Sequence, residues 1–319
     1  MLHRLWQSGM IGLAQSEKIK NFMQKSRATS FLSDKYVAGN SPNKAITKAN
    51  KFLQEENIRG SFFYLGEYVN SIDLVNINVK NKQAIVRLLK NENIDIHISV
   101  DPTQIGYTVS EEIGHKNALD IAKQILLASN NNKLNKNCLM LDMEDFSVVD
   151  KTISLHNEIK ELGYPVAITL QAYLKRTETD IQKLIENGSM VRLVKGAFTA
   201  RPEVSFTKQS DIKKNYYKLV KLMFSKSAKK TGFYPVIATH DEEVQQFATD
   251  EARKNEWEKG SYEFEMLLGV RFNLAQELVN RGERVRLYMP FGKDWWPYAI
   301  RRIGENPRNG LLLVRSLIN

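Results

Sequence analysis

From about residue 60 onward, short apolar runs alternate with longer stretches whose apolar positions recur every three or four residues. The runs predict strands at Ser61–Leu65, Ile94–Val100, Cys138–Asp142, Val166–Leu170, Met190–Val194, Val236–Thr239, Glu263–Leu268 and Val285–Met289. The stretches between them predict helices at Lys80–Asn91, Glu111–Ser129, Val149–Leu162, Thr179–Asn187, Asp211–Thr231, Glu242–Asn255 and Arg271–Arg281. Regular strand–helix alternation points to a parallel sheet. Eight such units in about 250 residues favour an α/β fold of the (β/α)8 TIM-barrel type over an open doubly wound sheet. No glycine-rich dinucleotide fingerprint follows the first strand, which weighs against the open alternative. Residues 1–58 read as a polar, mostly helical segment with a turn at Gly39-Asn40-Ser41-Pro42. The expected organisation is therefore an N-terminal helical segment, 1–58, followed by a barrel, 59–319. Asn130–Asn137 reads as a surface loop.

Composition narrows the class. A chain of 319 residues can bury a sizeable core. No apolar run approaches the roughly 18–20 residues that span a bilayer, and the first twenty residues carry no apolar signal-peptide core. The single cysteine, Cys138, leaves no intramolecular disulfide to form, in keeping with a cytoplasmic setting. Cys138 opens an apolar strand and is expected to be packed. The net charge is +10. The lysines are dispersed, with no RNP motif, zinc spacing or arginine-rich arm, so nucleic acid is not the expected partner. A basic surface would still favour anionic lipid, which leaves peripheral contact with the inner face of a membrane open.

In a barrel of this type the chemistry gathers at the carboxyl ends of the strands, and here those ends are rich in polar groups. The second strand runs into Asp101, Thr103 and Gln104, the third into Asp142, Met143, Glu144 and Asp145, and the fourth into Gln171. The fifth carries Arg192 and leads to Lys195-Gly196-Ala197, the sixth ends at Thr239-His240-Asp241, and the eighth carries Tyr288. Each residue alone has a structural explanation: Asp142 as a cap or a buried partner of Arg192, His240 as a packing histidine. Arg192 inside an apolar strand either pairs internally or faces an anionic or electron-rich ligand, because an isolated buried charge is costly. After the last strand, Tyr298, Arg302 and Glu305 recur at helical spacing on one face with Arg301 beside them. Paired guanidiniums suit a carboxylate, whose two oxygens match the arginine fork. The five histidines show no metal spacing and there is no nucleophile elbow, so an organic cofactor supplying its own chemistry fits best.

These segments resemble the proline dehydrogenases, flavin enzymes with a distorted (β/α)8 barrel that oxidise L-proline to Δ1-pyrroline-5-carboxylate. The matching runs are Leu141-Asp142-Met143-Glu144, Gln171 to Thr177, Val191 to Phe198, Ala238-Thr239-His240-Asp241, Tyr262 to Leu267, and Tyr288 to Gly292 followed by Trp295 to Tyr298 and the arginine pair. The resemblance implies FAD, with Met143, Gln171, Arg192, Lys195, Gly196, Ala197, Thr239 and His240 as cofactor contacts. It implies Asp142 and Arg192 as the acid and the arginine of the active site. It further implies that Arg301 and Arg302 grip the substrate carboxylate, and that Tyr288, Tyr298 and Glu305 enclose its ring. A quinone would be the usual electron acceptor, with peripheral membrane contact by analogy. The length resembles small monofunctional bacterial members.

Two positions depart from the family pattern. Where relatives normally carry lysine in a run similar to Val-Lys-Leu-Thr-Gln-Ile-Gly, this chain has Val100-Asp101-Pro102-Thr103-Gln104-Ile105-Gly106. Opposite charges at contact are worth about 4 kcal/mol at an effective dielectric near 20, so Asp101 is expected to weaken the hold on a substrate carboxylate. Pairing with Arg301 or Arg302, turning away at Pro102, or accepting an N–H from a different substrate would each accommodate it. Otherwise Arg301 and Arg302 would hold the carboxylate alone. Glu265 stands where glutamine is usual. Three readings of activity follow: proline oxidation; a specialised relative acting on a proline analogue in a biosynthetic route such as that to a carbapenem; and a catalytically silent ligand-binding barrel.

Overall fold

A computed structural model describes residues 30–66, 69–129, 136–198 and 200–305, with residues 16, 20, 23 and 24. Eight strands, β1 (Arg59–Tyr64), β2 (His97–Val100), β3 (Cys138–Leu141), β4 (Val166–Gln171), β5 (Met190–Val194), β6 (Tyr234–Ala238), β7 (Glu263–Leu267) and β8 (Val285–Phe291), pair in chain order. All are parallel, and β8 returns to β1 through Arg59↔Arg286 to Tyr64↔Phe291, which closes the barrel. Each predicted strand is present to within three residues at either end. The fold is the expected (β/α)8 barrel.

Side-chain alternation divides each strand between two environments. Leu139, Leu141, Ile168, Leu170, Val191 and Leu193 face outward into the large core shared with the surrounding helices. Cys138, Met140, Ala167 and Met190 pack against one another inside the barrel. The inward positions of β1, β2, β4, β5, β7 and β8 are strongly polar: Ser61, His97, Ser99, Thr169, Arg192, Glu263, Glu265 and Arg286 are all buried. Cys138 is buried as expected, and burial raises its thiol pKa.

Two helices differ from expectation. The first crossover helix runs Ile72–Leu89, not Lys80–Asn91. Its first eight residues, Ile72 to Val79, partly alternate apolar with polar side chains and so resemble a strand locally. The Ser71 side chain caps the helix at Leu74 N–H (3.4 Å), and burial of Val75 and Val79 stabilises it. The predicted helix Asp211–Thr231 is two, Gln209–Met223 and Lys226–Lys230, because Ser225 stops one and caps the other through Ala228 N–H.

The helix Pro42–Glu56, within the segment that the sequence sets apart, packs on β1 and β8, and its Ala45, Ile46 and Ala49 join the large core. The helix following β8, Trp295–Glu305, instead packs against Ser30–Tyr36. Its Trp295, Trp296, Tyr298 and Ile300 cluster with Phe63, Leu65 and Tyr288 at the carboxyl ends of β1 and β8. It therefore lies across the mouth of the barrel, which brings the tyrosine–arginine face over the strand ends. Most of Asn130–Asn137 lies outside the described residues.

Candidate active site

Arg192, 3 % exposed, is the hub of the mouth. Its Nε and Nη2 donate to the two oxygens of Glu265, both at 2.8 Å. Its Nη1 donates to Asp142 Oδ1 and lies 3.4 Å from Thr169 Oγ1, while Nη2 also reaches Ser99 Oγ (3.1 Å) and Ser61 Oγ (3.3 Å). Six contacts to five residues, on five strands or strand ends, thus fix one planar fork. Burial alone would push its pKa down, but the Glu265 and Asp142 carboxylates hold it above its ordinary value, so the guanidinium is permanently charged. Of the two alternatives that the sequence leaves for Asp142, a cap or a buried partner of Arg192, the structure has the pair. Glu265 uses both oxygens on Arg192, a two-oxygen acceptor that a glutamine could not supply.

Asp142 follows β3 and accepts Tyr288 Oη–H at 2.9 Å and Thr169 Oγ1–H at 3.2 Å. Burial raises its pKa, against the pull of Arg192, Tyr288 and Thr169. Burial, with the neighbouring Asp142 and Asp101 carboxylates, holds the Tyr288 phenol well above its ordinary pKa. It stays protonated and donates. The Arg192 guanidinium also lies 5.4 Å from the Tyr288 ring centroid.

On the covering helix, Arg302 stacks on the Tyr298 ring at 5.2 Å. Tyr298 is buried; Arg302 is half-buried, and Arg301 is exposed. Burial, and after it the charge of Arg302, lowers the pKa of His240 to about 4. The Glu305 side chain lies outside the described residues. Asp101, half-buried, begins the single turn Pro102–Ile105 after β2.

The positions expected to hold a cofactor lie together at the ends of β3 to β6. Gln171 donates through Nε2 to the carbonyls of Met143 (3.3 Å) and Glu144 (3.2 Å), which leaves its Oε1 buried with no partner among the described residues. His240 accepts Leu267 N–H at Nε2 (3.2 Å), which places its proton on Nδ1, and Nδ1 is likewise buried without a partner. Gly196 has φ +101°, and a Cβ there would come within 2.2 Å of the Tyr173 ring. Lys195 and Ala197 beside it are exposed, and Thr239 N-caps nothing itself but accepts Asp241 N–H. An unsatisfied buried acceptor and an unsatisfied buried donor fit a heterocycle with both donor and acceptor edges, as in a flavin.

Sequence reasoning missed Lys82, which is fully buried in the helix Ile72–Leu89 and donates to Gln104 Oε1 at 2.9 Å. The signal was present: Val75, Asn78, Val79, Lys82, Ile85, Val86 and Leu89 form one buried stripe at helical spacing, with a lysine in its middle. It also missed Ser61, Ser99 and Thr169, which complete the Arg192 cage.

The proline dehydrogenase family model matches residues 46–311. Proline dehydrogenase 1 of Bacillus subtilis subsp. natto is 29% identical over 309 residues, covering 96% of this chain and 97% of that one. Proline dehydrogenase of Deinococcus radiodurans is 28% identical over 320 residues, covering 100% and 99%. Among solved structures, proline utilization A from Bdellovibrio bacteriovorus, inactivated by N-propargylglycine, superposes with a TM-score of 0.77 at 22% identity over 87% of this chain and 33% of that one. Proline utilization A from Corynebacterium freiburgense gives 0.70 at 19% identity over 99% and 34%. The chain spans about a third of those longer proteins. It belongs to the proline dehydrogenase family.

Proposed function

We propose that the barrel mouth oxidises L-proline to Δ1-pyrroline-5-carboxylate, using FAD held by Met143, Gln171, Arg192, the Lys195-Gly196-Ala197 turn, Thr239 and His240. The observation that carries this reading is the caged Arg192 beneath the Tyr298–Arg302 face of the covering helix. When bound, the flavin supplies the acceptor for a hydride from the ring carbon next to nitrogen. The protein's part is orientation, which can lower a barrier by several kcal/mol. Arg302, with Arg301 at the rim, orients the carboxylate, and Tyr298, Tyr288 and Glu305 enclose the ring. Asp142 fixes the Tyr288 hydroxyl and one edge of Arg192. Arg192 then presents a fixed positive charge where negative charge develops. The substrate nitrogen must be unprotonated as the imine forms.

The onward acceptor is assigned as a quinone. The net charge of +10 supports transient contact of a cytoplasmic protein with an anionic membrane surface, and no helix among the described residues is long and apolar enough to cross a membrane. Anaerobic addition of L-proline to the purified, flavin-loaded protein should bleach the visible flavin absorbance, with pyrroline-5-carboxylate as product. A loaded protein that L-proline leaves unbleached would sink this reading.

A further inference from the structure

Arg192 is bonded to more counter-charge than one guanidinium needs. The Glu265 carboxylate accepts from Nε and Nη2 at 2.8 Å each, and Asp142 accepts from Nη1. Glu265 and Arg192 are both 3 % exposed. Thr169, Ser99 and Ser61 offer uncharged acceptors to the same fork. Asp142 alone would balance the charge of Arg192, and a second buried carboxylate adds a desolvation cost that neutrality does not require. An amide on the same stem would fill the same volume without that cost. Arg286, opposite Glu265 in the β7–β8 register, is held by Glu263 and Asp95. Among the described residues, every hydrogen bond of the Glu265 carboxylate goes to Arg192. Packing and hydrogen bonding thus leave the second negative charge unexplained.

Its place in the sheet gives a reason. Glu265 stands opposite Ala238, the residue before Thr239-His240, and two residues before Leu267, whose N–H holds the His240 ring. It lies just inside the strand ends where a flavin fits. Hydride transfer carries two electrons and one proton, so one net negative charge arrives at the cofactor while the substrate keeps a positive imine nitrogen. An unpaired guanidinium would favour that charge strongly. One bonded to two carboxylates favours it less, because the opposite charges offset its field.

We propose that Glu265 is a positioning residue that tempers Arg192: it holds one edge of the fork and cancels part of its charge, which lowers the reduction potential of a flavin bound at the mouth. The reduced cofactor is thereby kept a strong donor to its onward acceptor. The proposal rests on the mouth holding a flavin beside Arg192.

The test measures the two-electron midpoint potential of the flavin-loaded protein at neutral pH, by anaerobic reduction against a reference dye. Four chains are compared: wild type, Glu265→Gln, Glu265→Asp and Asp142→Asn. Glu265→Gln should favour the reduced form at least tenfold, a rise of about 30 mV or more for a two-electron couple. Glu265→Asp keeps the charge and should shift the ratio less than threefold. A residue that only braced the fork would cost Tm and turnover in Glu265→Gln without raising the potential. Less than a tenfold rise in Glu265→Gln, or a threefold or larger rise in Glu265→Asp, overturns the proposal. If Glu265→Gln does not fold or hold flavin, Asp142→Asn decides. It removes the other counter-charge of Arg192, so it should also favour the reduced form at least tenfold, and a smaller rise overturns the idea. A wild type that takes up no flavin overturns the proposal together with the cofactor reading. A loaded protein whose variants shift as expected but which L-proline does not bleach counts against the oxidation reading and not against Glu265.

Discussion

The barrel contains two buried ionic networks, one at each end, and they are built to opposite specifications. At the amino-terminal end Arg286, fully buried, donates from Nε to Glu263 (2.6 Å), from Nη2 to Asp95 (2.6 Å) and from Nη1 to the Gly60 carbonyl (2.7 Å). Arg284 bonds the same two carboxylates at 2.9 and 3.0 Å, and Arg59 adds a contact to Asp95. Three arginines thus saturate two carboxylates. The Glu263 pKa falls to about 2, because the charges and hydrogen bonds of Arg286 and Arg284 outweigh its burial. At the carboxyl-terminal end one arginine, Arg192, serves both Asp142 and Glu265, and burial pushes both carboxyls up. His97 joins the two layers: its Nδ1 meets Ser61 at 2.9 Å, and burial together with the arginines above and below keeps it neutral. The closed network serves the fold. The open one spends electrostatic stability on keeping a reactive mouth charged.

Substitution can separate the two roles. Arg286→Met leaves Glu263 and Asp95 short of a cation in a dry interior, at a cost of about 3–5 kcal/mol. Thermal unfolding should show a large drop in Tm, while kcat per folded, flavin-loaded molecule stays within twofold; a selective loss of turnover would erase the distinction. Arg192→Met should act in the other sense, lowering kcat/KM for L-proline by about 10²–10³-fold, as for loss of a preorganised electrostatic group. A variant with near-normal turnover would reduce Arg192 to a structural ion.

Acid titration probes the same contrast. Glu263 has a folded pKa of about 2, below its ordinary value of 4.5. Its contribution is therefore present above about pH 4.5 and lost as the pH falls toward 2, a change of about 3 kcal/mol at 1.36 kcal/mol per pKa unit. Comparing Tm against pH for wild type and Glu263→Gln should show a shallower acid decline in the variant; parallel curves would mean that Glu263 is not the sensitive group. The smallest expected effect is that of Tyr288→Phe, which deletes one hydrogen bond to Asp142. Loss of about 1–2 kcal/mol of orientation should lower kcat roughly tenfold with Tm almost unchanged. An unaltered kcat would show that the Asp142–Tyr288 bond is incidental.

The strand ends were legible because a barrel obliges its chemistry to gather there, and Arg192 betrayed itself as a charge within an apolar run. The Asp142–Arg192 pair was foreseen as one alternative for the same reason. The basal network was not read, although Asp95, Glu263, Arg284 and Arg286 border predicted strands. Single-strand patterns do not say which polar residues meet across a closed sheet. The first crossover helix was read short because Ile72 to Val79 alternates like a strand, and that error hid the stripe on which Lys82 stands.

By itself the sequence determined the eight strand–helix units, the polar strand ends and the covering helix's Tyr298–Arg302 spacing, since each depends on periodicity within a short span. Only the tertiary structure decided which charges face one another. It closed β8 onto β1, placed the last helix over the mouth, and brought Lys82 to Gln104 from a different element. Electrostatic partnership depends on distance in space, and the partners of Arg192 from β1, β2, β4, β7 and the end of β3 meet it only once the barrel has closed.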